Sequence, residues 1–250
     1  MILNLINKYK EQYKDLIIND GGGVKSRGNF RFGPQTSFIQ GMLSNWHSLK
    51  TFQDNWNPDV RDFKSMYESS FANTLSNDLW EGQSFFPKKA MLTFIERDAD
   101  LVRSMFQELF NENLDIEGRI DRFVYHCDEI SRDIMRTNPQ YQSHYHEGYR
   151  MISVYLAFRY PMQYTIYSYP EYKAFMALIK AQPAPEANEI GRFFKVMRTV
   201  NSIIRKDEEL LASQYALLEG REELYPGDSL LLVRGFYWFC GFNSPPTPPL

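Results

Sequence analysis

DADLVRSMFQELFNENLDIEGRIDRFVYHCDEISRDI, residues 98–134, places apolar side chains every three or four positions along most of its length. That spacing is the period of an α-helix with one buried face. Asp98 or Asp100 is a suitable N-cap for the first half of the segment. The segment therefore predicts two amphipathic helices, with Cys127 as a small core residue on the second. The periodic positions are Leu101, Val102, Met105, Phe106, Leu109 and Phe110, then Ile116, Ile120, Phe123, Val124, Cys127, Ile130 and Ile134.

Helical periodicity also dominates the rest of the chain, and only two segments suggest strands. YTIYS (164–168) alternates and is rich in β-prone residues, which predicts a short strand. DSLLLVRGFYWFCGF (228–242) fits either a strand or a buried helix. The predicted class is mainly α, an α+β protein with one or two short strands, folded as a compact helical domain. Further helices are predicted at 2–17, 35–55, 151–160, 170–180 and 188–218, the last with a break near Asp207 and Gly220 as its C-cap, and others begin near Pro58 and Pro87.

Breaker-rich segments suggest how the chain is organised. NDGGGVKSRGNFRFGP (19–34) has three consecutive glycines, but Gly23 is followed by Val24, where a phosphate-binding loop requires lysine. This segment is therefore predicted to be a mobile loop, and 1–44 to be an N-terminal helix with a glycine-rich loop. Residues 45–242 are predicted to form the helical domain, and 243–250 a proline-rich tail.

Composition excludes several classes of protein. The 250 residues are 43% hydrophobic, enough to bury a core, and carry a net charge of −3. That charge rules out a protein that binds nucleic acid by bulk basicity, although it leaves room for a local basic face. Two distant cysteines, no signal-peptide pattern and no long apolar run predict a cytoplasmic protein that does not associate with a membrane.

The residues that could carry catalysis or bind metal are few. His144 and His146 form an H-x-H motif, and His126 precedes Cys127. A zinc site needs its ligands to converge, and Cys127 and His126 point about 100° apart on a helix. The histidines are therefore predicted to be polar loop residues. No nucleophile motif and no distinctive carboxylate pair is present. The sequence predicts a protein that is not an enzyme, with no cofactor and no metal.

EIGRFFKVMRTVNSIIRK (189–206) is the most informative segment for function. Its apolar residues fall on one face of a helix and its cations on the other, with no acidic residue between Ile190 and Lys206. Such cations are suited to contact successive phosphates of a nucleic acid backbone. The alternative is a solvated face paired with acids from neighbouring elements. The predicted nucleic-acid-binding residues are Arg192, Lys195, Arg198, Arg205 and Lys206.

A second basic candidate lies at the predicted helix start after Phe85 and Phe86. Lys88 and Lys89 would add to the positive end of the helix dipole, which favours phosphate. Trp80 lies nearby in a predicted loop, where a tryptophan can stack on a base or pack the loop down.

RYPMQYTIYSYPEY (159–172) contains five tyrosines. These rings could stack on bases, or they could be core aromatics whose hydroxyl groups find hydrogen bonds. Pro161 and Pro170 bracket the segment, which favours an architectural role between two helices.

Four segments together resemble the N-terminal region of McrB-like AAA+ restriction proteins. In that family, similar segments occur in the same order: a helix with F-Q-x-x-W, a helix start of two aromatics and proline, a tyrosine-rich step and a closing aromatic segment. The resemblance covers most of residues 45–242. The segments are LKTFQDNWNPDVRDFKSMYESSF (49–71), SFFPKKAMLTFIERDADLVRSMFQELFNENLDIEGRIDRF (84–123), MISVYLAFRYPMQYTIYSYPEYKAF (151–175) and LYPGDSLLLVRGFYWFCGF (224–242).

The resemblance implies a non-catalytic module that recognises plain or modified DNA in a modification-dependent restriction or phage-defence system. An AAA+ motor and a nuclease would be its partner proteins. This chain lacks the Walker A lysine loop and the Walker B carboxylates, so the resemblance implies no NTPase activity for it. The alternative is a protein-interaction or regulatory protein of a defence system that does not bind nucleic acid.

Overall fold

The computed structural model describes residues 1–21, 34–82, 84–141 and 143–242, and this part of the chain folds into eleven α-helices. The predicted mainly α class is confirmed. The helices are α1 (Ile2–Gly21), α2 (Pro34–Asn55), α3 (Phe63–Ser70), α4 (Pro87–Arg97), α5 (Ala99–Leu109), α6 (Ile116–Thr137), α7 (Arg150–Arg159), α8 (Tyr169–Leu178), α9 (Ile190–Ile204), α10 (Glu208–Ala216) and α11 (Leu231–Phe242), with a 3-10 helix at Thr74–Leu79.

Aspartate side chains mark the helix starts that the sequence suggested. Asp98 caps α5 by accepting the Leu101 N–H, and Asp115 caps α6 by accepting the Gly118 N–H at 3.0 Å. Asp207 caps α10, so the predicted break in the 188–218 region is confirmed. The predicted C-cap at Gly220 is wrong, because α10 ends at Ala216 with Leu217 as its C-cap. Gly220 lies beyond the helix with a positive φ of 71°, a conformation that glycine adopts without strain.

The strand predicted at 164–168 is wrong, since the sole β interaction among the described residues is an isolated bridge between Gly82 and Phe85. Of the two alternatives left open for 228–242, the structure shows the helix. Residues 231–242 form a helix. This segment is largely buried, and a helix pairs its backbone N–H and C=O groups within the segment itself. Residues 164–168 are irregular and have no neighbouring strand to pair with. Their backbone bonds to side chains instead: the Tyr167 N–H donates to Ser153 Oγ at 2.8 Å, and the Ile166 carbonyl accepts the Tyr237 hydroxyl.

A single hydrophobic cluster joins the helices. Tyr13 of α1 packs against Phe236 of α11, with ring centroids 5.7 Å apart. Helix α2 runs without interruption through position 44, where a boundary was predicted, and its residues belong to the same cluster. Residues 22–33, most of the predicted glycine-rich loop, and the predicted tail at 243–250 lie outside the described residues.

The tyrosine-rich segment 159–172 is architectural, as predicted. Tyr164, Tyr167 and Tyr172 are buried, and the last two contact the ring of Phe193 on α9. These contacts help to seat α9, whose main packing partners are α6 and α11. None of the described helices is both long enough and apolar enough to cross a lipid bilayer.

Candidate functional site

Helix α9 presents its apolar side to the core and its cations to the outside, as the periodicity predicts. Phe193, Met197 and Val200 are buried between α9 and its neighbours. Lys195 and Arg198 are exposed on the opposite side. The orientation of the helix is therefore fixed by hydrophobic burial, and its basic side is accessible.

Two of the five predicted cations are engaged by acids. Arg192 donates to Glu189 Oε2 at 2.8 Å and to the Pro183 carbonyl at 2.7 Å. Arg205 pairs with Asp228, which also accepts the Tyr215 hydroxyl at 2.9 Å. The expectation of unopposed cations is wrong for both arginines. Glu189 immediately precedes segment 190–206, and Asp228 comes from the segment that precedes α11.

The other three cations remain accessible. Lys195, Arg198 and Lys206 are exposed, and within the described ranges none of them forms an ion pair. Arg198 has a long contact of 3.3 Å with the Gln163 carbonyl. At 1.5 Å per residue, Lys195 lies roughly 13 Å before the end of α9 at Ile204, and Lys206 follows in the next turn. Each strand of DNA carries several phosphates over that length.

The second basic candidate is not organised as predicted. Lys88 Nζ donates to the carbonyl of Phe71 at 2.8 Å and so caps the end of α3. Lys89 is exposed. Helix α4 packs mainly on α3 and α5, whereas α9 packs on α6 and α11, so the two basic segments have different neighbours.

Trp80 is fully buried, which makes its predicted role in base stacking wrong. Its ring lies edge-on to Phe71 at 5.4 Å and to Phe158 at 6.5 Å. Packing of the loop onto the core therefore uses the whole indole, and none of its surface is left for a base.

A cluster of three potential metal ligands lies at a different place, between α6 and the loop before α7. Cys127, His144 and His146 are all buried, and one ligand atom from each lies within 4.8 Å of the others. His144 and His146 lie in a loop, as predicted, but that loop folds back onto α6 and buries both rings beside Cys127, which was not predicted. His126 is not part of the cluster, in agreement with the prediction that it points away from Cys127.

The hydrogen bonds of the two imidazoles define their tautomers. His146 Nδ1 donates to the His144 carbonyl at 2.5 Å, and His146 Nε2 accepts the Tyr155 hydroxyl at 3.1 Å. Tyr155 is in turn bonded to the Tyr67 hydroxyl at 2.8 Å. His144 Nδ1 accepts the His146 backbone N–H at 3.0 Å, and His144 Nε2 donates to Asp128 Oδ1 at 2.9 Å.

Burial also sets the protonation of the cluster. Desolvation, with the neighbouring His144, lowers the pKa of His146 to about 3, so its imidazole is neutral at physiological pH. Desolvation raises the pKa of the Cys127 thiol well above its ordinary value. A buried thiol with a raised pKa is a poor nucleophile, so a Cys–His catalytic pair is disfavoured. A cysteine and two neutral histidines remain a suitable donor set for a metal ion.

A surface cleft of about 510 Å³ between the α4–α5 corner and α6 offers no catalytic arrangement. Its charged side chains neutralise one another, because Arg97 and Arg136 pair with Asp133 and Arg132 pairs with Glu129. Arg136 and Arg132 pair with acids on their own helix, which is typical of a solvated surface.

Comparison of the chain with models of known protein families, with curated proteins and with solved structures found no match. The resemblance to McrB-like proteins therefore stays a prediction. Within the described residues, the accessible cations at 195–206 and the buried cysteine–histidine cluster are the arrangements considered further.

Proposed function

We propose that the protein is a non-catalytic nucleic-acid-binding module that contacts backbone phosphates through Lys195, Arg198 and Lys206. The observation that supports this proposal is the exposure of Lys195 and Arg198 on the outer side of α9 and of Lys206 in the turn that follows it, without acidic partners in the described part of the chain. The proposed interface is smaller than the sequence suggested. It excludes four predicted residues that are buried or already bonded within the protein: Arg192, Arg205, Lys88 and Trp80.

A three-cation interface has a defined physical signature. Each phosphate that is neutralised releases condensed counterions, which makes binding weaken as salt concentration rises. Three contacts to duplex DNA correspond to a slope of about −2.7 in a plot of log K against log salt concentration. Phosphate contacts position a protein on its target, whereas base contacts would have to supply any sequence preference.

The choice of DNA as the target rests on the resemblance to McrB-like N-terminal regions. It places the protein in a restriction or phage-defence system in the cytoplasm, where an AAA+ motor or a nuclease would act with it. Modified DNA is then the target of first interest, and plain DNA is the natural comparison.

We expect the combined substitution of Lys195→Gln, Arg198→Gln and Lys206→Gln to weaken binding to plain and modified duplexes alike. The salt slope should become shallower by about 2.7, or about 0.9 for each lost contact. Fluorescence anisotropy from low to moderate salt measures both quantities.

The matched control removes three cations that already have acidic partners: Lys50→Gln, Lys64→Gln and Arg132→Gln. It changes the net charge equally, so a similar loss of affinity in both triple variants would show that bulk charge, and not α9, drives binding. Absence of binding by the wild type at low salt would reject the proposed function.

The alternative function is a protein-interaction or regulatory role in a defence system without nucleic acid. Exposed apolar side chains favour it, namely Leu75, which is 72% exposed, and Met1 and Leu3 at the start of α1. It predicts a stable complex with a protein partner that survives nuclease treatment.

A further inference from the structure

We propose that Cys127, His144 and His146 bind a divalent transition-metal ion of the zinc class, with Glu147 completing the site. The three buried side chains come from α6 and from the loop that returns to it, and they converge within 4.8 Å. This assignment is independent of the proposed nucleic-acid binding, since the cations of α9 do not contribute to the cluster.

The donor types select the metal. Sulfur and imidazole nitrogen are the ligands that Zn²⁺ prefers, and tetrahedral coordination places ligand atoms about 3.5 Å apart. The observed separations, all within 4.8 Å, are slightly wider. Small rotations of the side chains bring the three atoms to coordination distance.

The surroundings of each histidine match those of metal-ligating histidines, whose second ring nitrogen is held by an oxygen acceptor. His146 Nδ1 donates to the His144 carbonyl at 2.5 Å, which leaves Nε2 to face the ion. His144 Nε2 donates to Asp128 at 2.9 Å, which leaves Nδ1 to face the ion. Binding would replace the contacts that these two nitrogens now make with Tyr155 and with the His146 N–H, and Tyr155 would keep its bond to Tyr67.

The backbone of the loop is arranged to present both rings on one side. Tyr145, between the two histidines, has a φ of 62°, a left-handed conformation that is uncommon for a residue with a bulky side chain. The imidazoles of His144 and His146 are stacked, with centroids 5.7 Å apart and planes inclined by 27°. Local strain of this kind persists where the surrounding structure or a ligand compensates for it.

Glu147 supplies the fourth ligand. Its Oε2 is 3.4 Å from His144 Nδ1, close to the spacing of two ligands on one ion. The side chain is 59% exposed on the solvent side of the cluster, and its other oxygen, Oε1, accepts the Ser143 hydroxyl at 2.9 Å. Zn²⁺ bound to one thiolate and one carboxylate is electrically neutral, which burial tolerates. The thiol of Cys127 gives up its proton to water when the metal–sulfur bond forms.

The test uses the full chain, purified without a polyhistidine tag, stripped with a chelator and then titrated with Zn²⁺ or Co²⁺. We expect one equivalent of metal per chain, and for Co²⁺ a thiolate-to-metal charge-transfer band together with the visible bands of tetrahedral coordination. Cys127→Ser should lose the charge-transfer band and bind Zn²⁺ at least about 100-fold more weakly, since loss even of outer-shell partners costs 10–100-fold. Cys240→Ser, at another buried cysteine, is the matched control and should bind as the wild type does.

A second pair of variants keeps the test decisive if Cys127→Ser does not fold. Glu147→Gln changes an exposed side chain and should weaken Zn²⁺ binding roughly 10-fold or more. His126→Gln, on α6 but outside the cluster, should leave the affinity unchanged. A Co²⁺ spectrum without thiolate character, or equal Zn²⁺ affinities for the wild type, Glu147→Gln and Cys127→Ser, would overturn the proposal.

Discussion

Phe106→Ala is expected to lower the free energy of unfolding by about 3–5 kcal/mol, the range for truncating a fully buried phenylalanine. Phe106 on α5 has six other aromatic rings with centroids within 6.3 Å of its own. Its centroid is 4.9 Å from those of Trp56 and Tyr155 and 5.3 Å from that of Phe123. These three rings come from α6, from α7 and from the residue that follows α2, so a cavity at this point cannot be filled by the shift of one helix.

Urea denaturation followed by circular dichroism measures the change. Tyr125→Ala is the matched control, because Tyr125 on α6 is an aromatic residue that is 56% exposed, and its loss should cost within about 0.5 kcal/mol. A cost below about 1 kcal/mol for Phe106→Ala would show that the core closes around the lost ring, which would contradict the packing described above.

The position of Phe106 is one that the sequence alone predicts well. Helices α5 and α6 have long apolar stripes and aspartate caps, and both signals act within a few residues of one another. The same holds for α9 and α10, where Asp207 marks the break. Such local signals determine where a helix begins and which of its faces is buried, because the apolar side chains of an amphipathic helix lie together on one face.

Short apolar segments are less predictable. Residues 228–242 and 164–168 are apolar on more than one side, so their periodicity does not distinguish a strand from other buried structure. The first segment has enough length to form α11. The second is held by side chains from α7 and α11, Ser153 and Tyr237, which are distant in sequence.

The candidate sites are even less predictable from the sequence, because they depend on contacts between residues that are distant along the chain. The acid that neutralises Arg192 is Glu189, at the very start of the basic segment, and the acid that neutralises Arg205 is Asp228, which is distant in sequence. The convergence of Cys127 with His144 and His146 depends on a loop that turns back on α6. The H-x-H motif was the available signal for that cluster, but spacing alone does not show which earlier residue it meets.

Arg119 is a buried charge that its place in the sequence does not reveal. It is the fourth residue of α6 and almost fully buried. Its guanidinium donates to the Leu109 carbonyl at 2.8 Å, to Glu112 at 2.6 Å and to the Tyr164 hydroxyl at 2.9 Å. These bonds connect the end of α5, the start of α6 and the tyrosine-rich segment that supports α9. The position of α9 therefore depends in part on Arg119, a buried cation that is not accessible to a nucleic acid at the surface.

Arg119→Leu is expected to cost about 3 kcal/mol of unfolding free energy, because it leaves a buried carbonyl and hydroxyl without a donor and Glu112 without its cation. The cost stays near the lower end for a broken buried pair, since the Glu112 side chain is 29% exposed and can be rehydrated. Arg122→Leu is the matched control, because Arg122 lies on the same helix and pairs with Glu108 at the surface, where the loss should be under about 1 kcal/mol. Equilibrium unfolding in urea measures both variants. Equal costs would show that the Arg119 network contributes no more than a surface ion pair, and that hydrophobic packing alone holds the tyrosine-rich segment against α6.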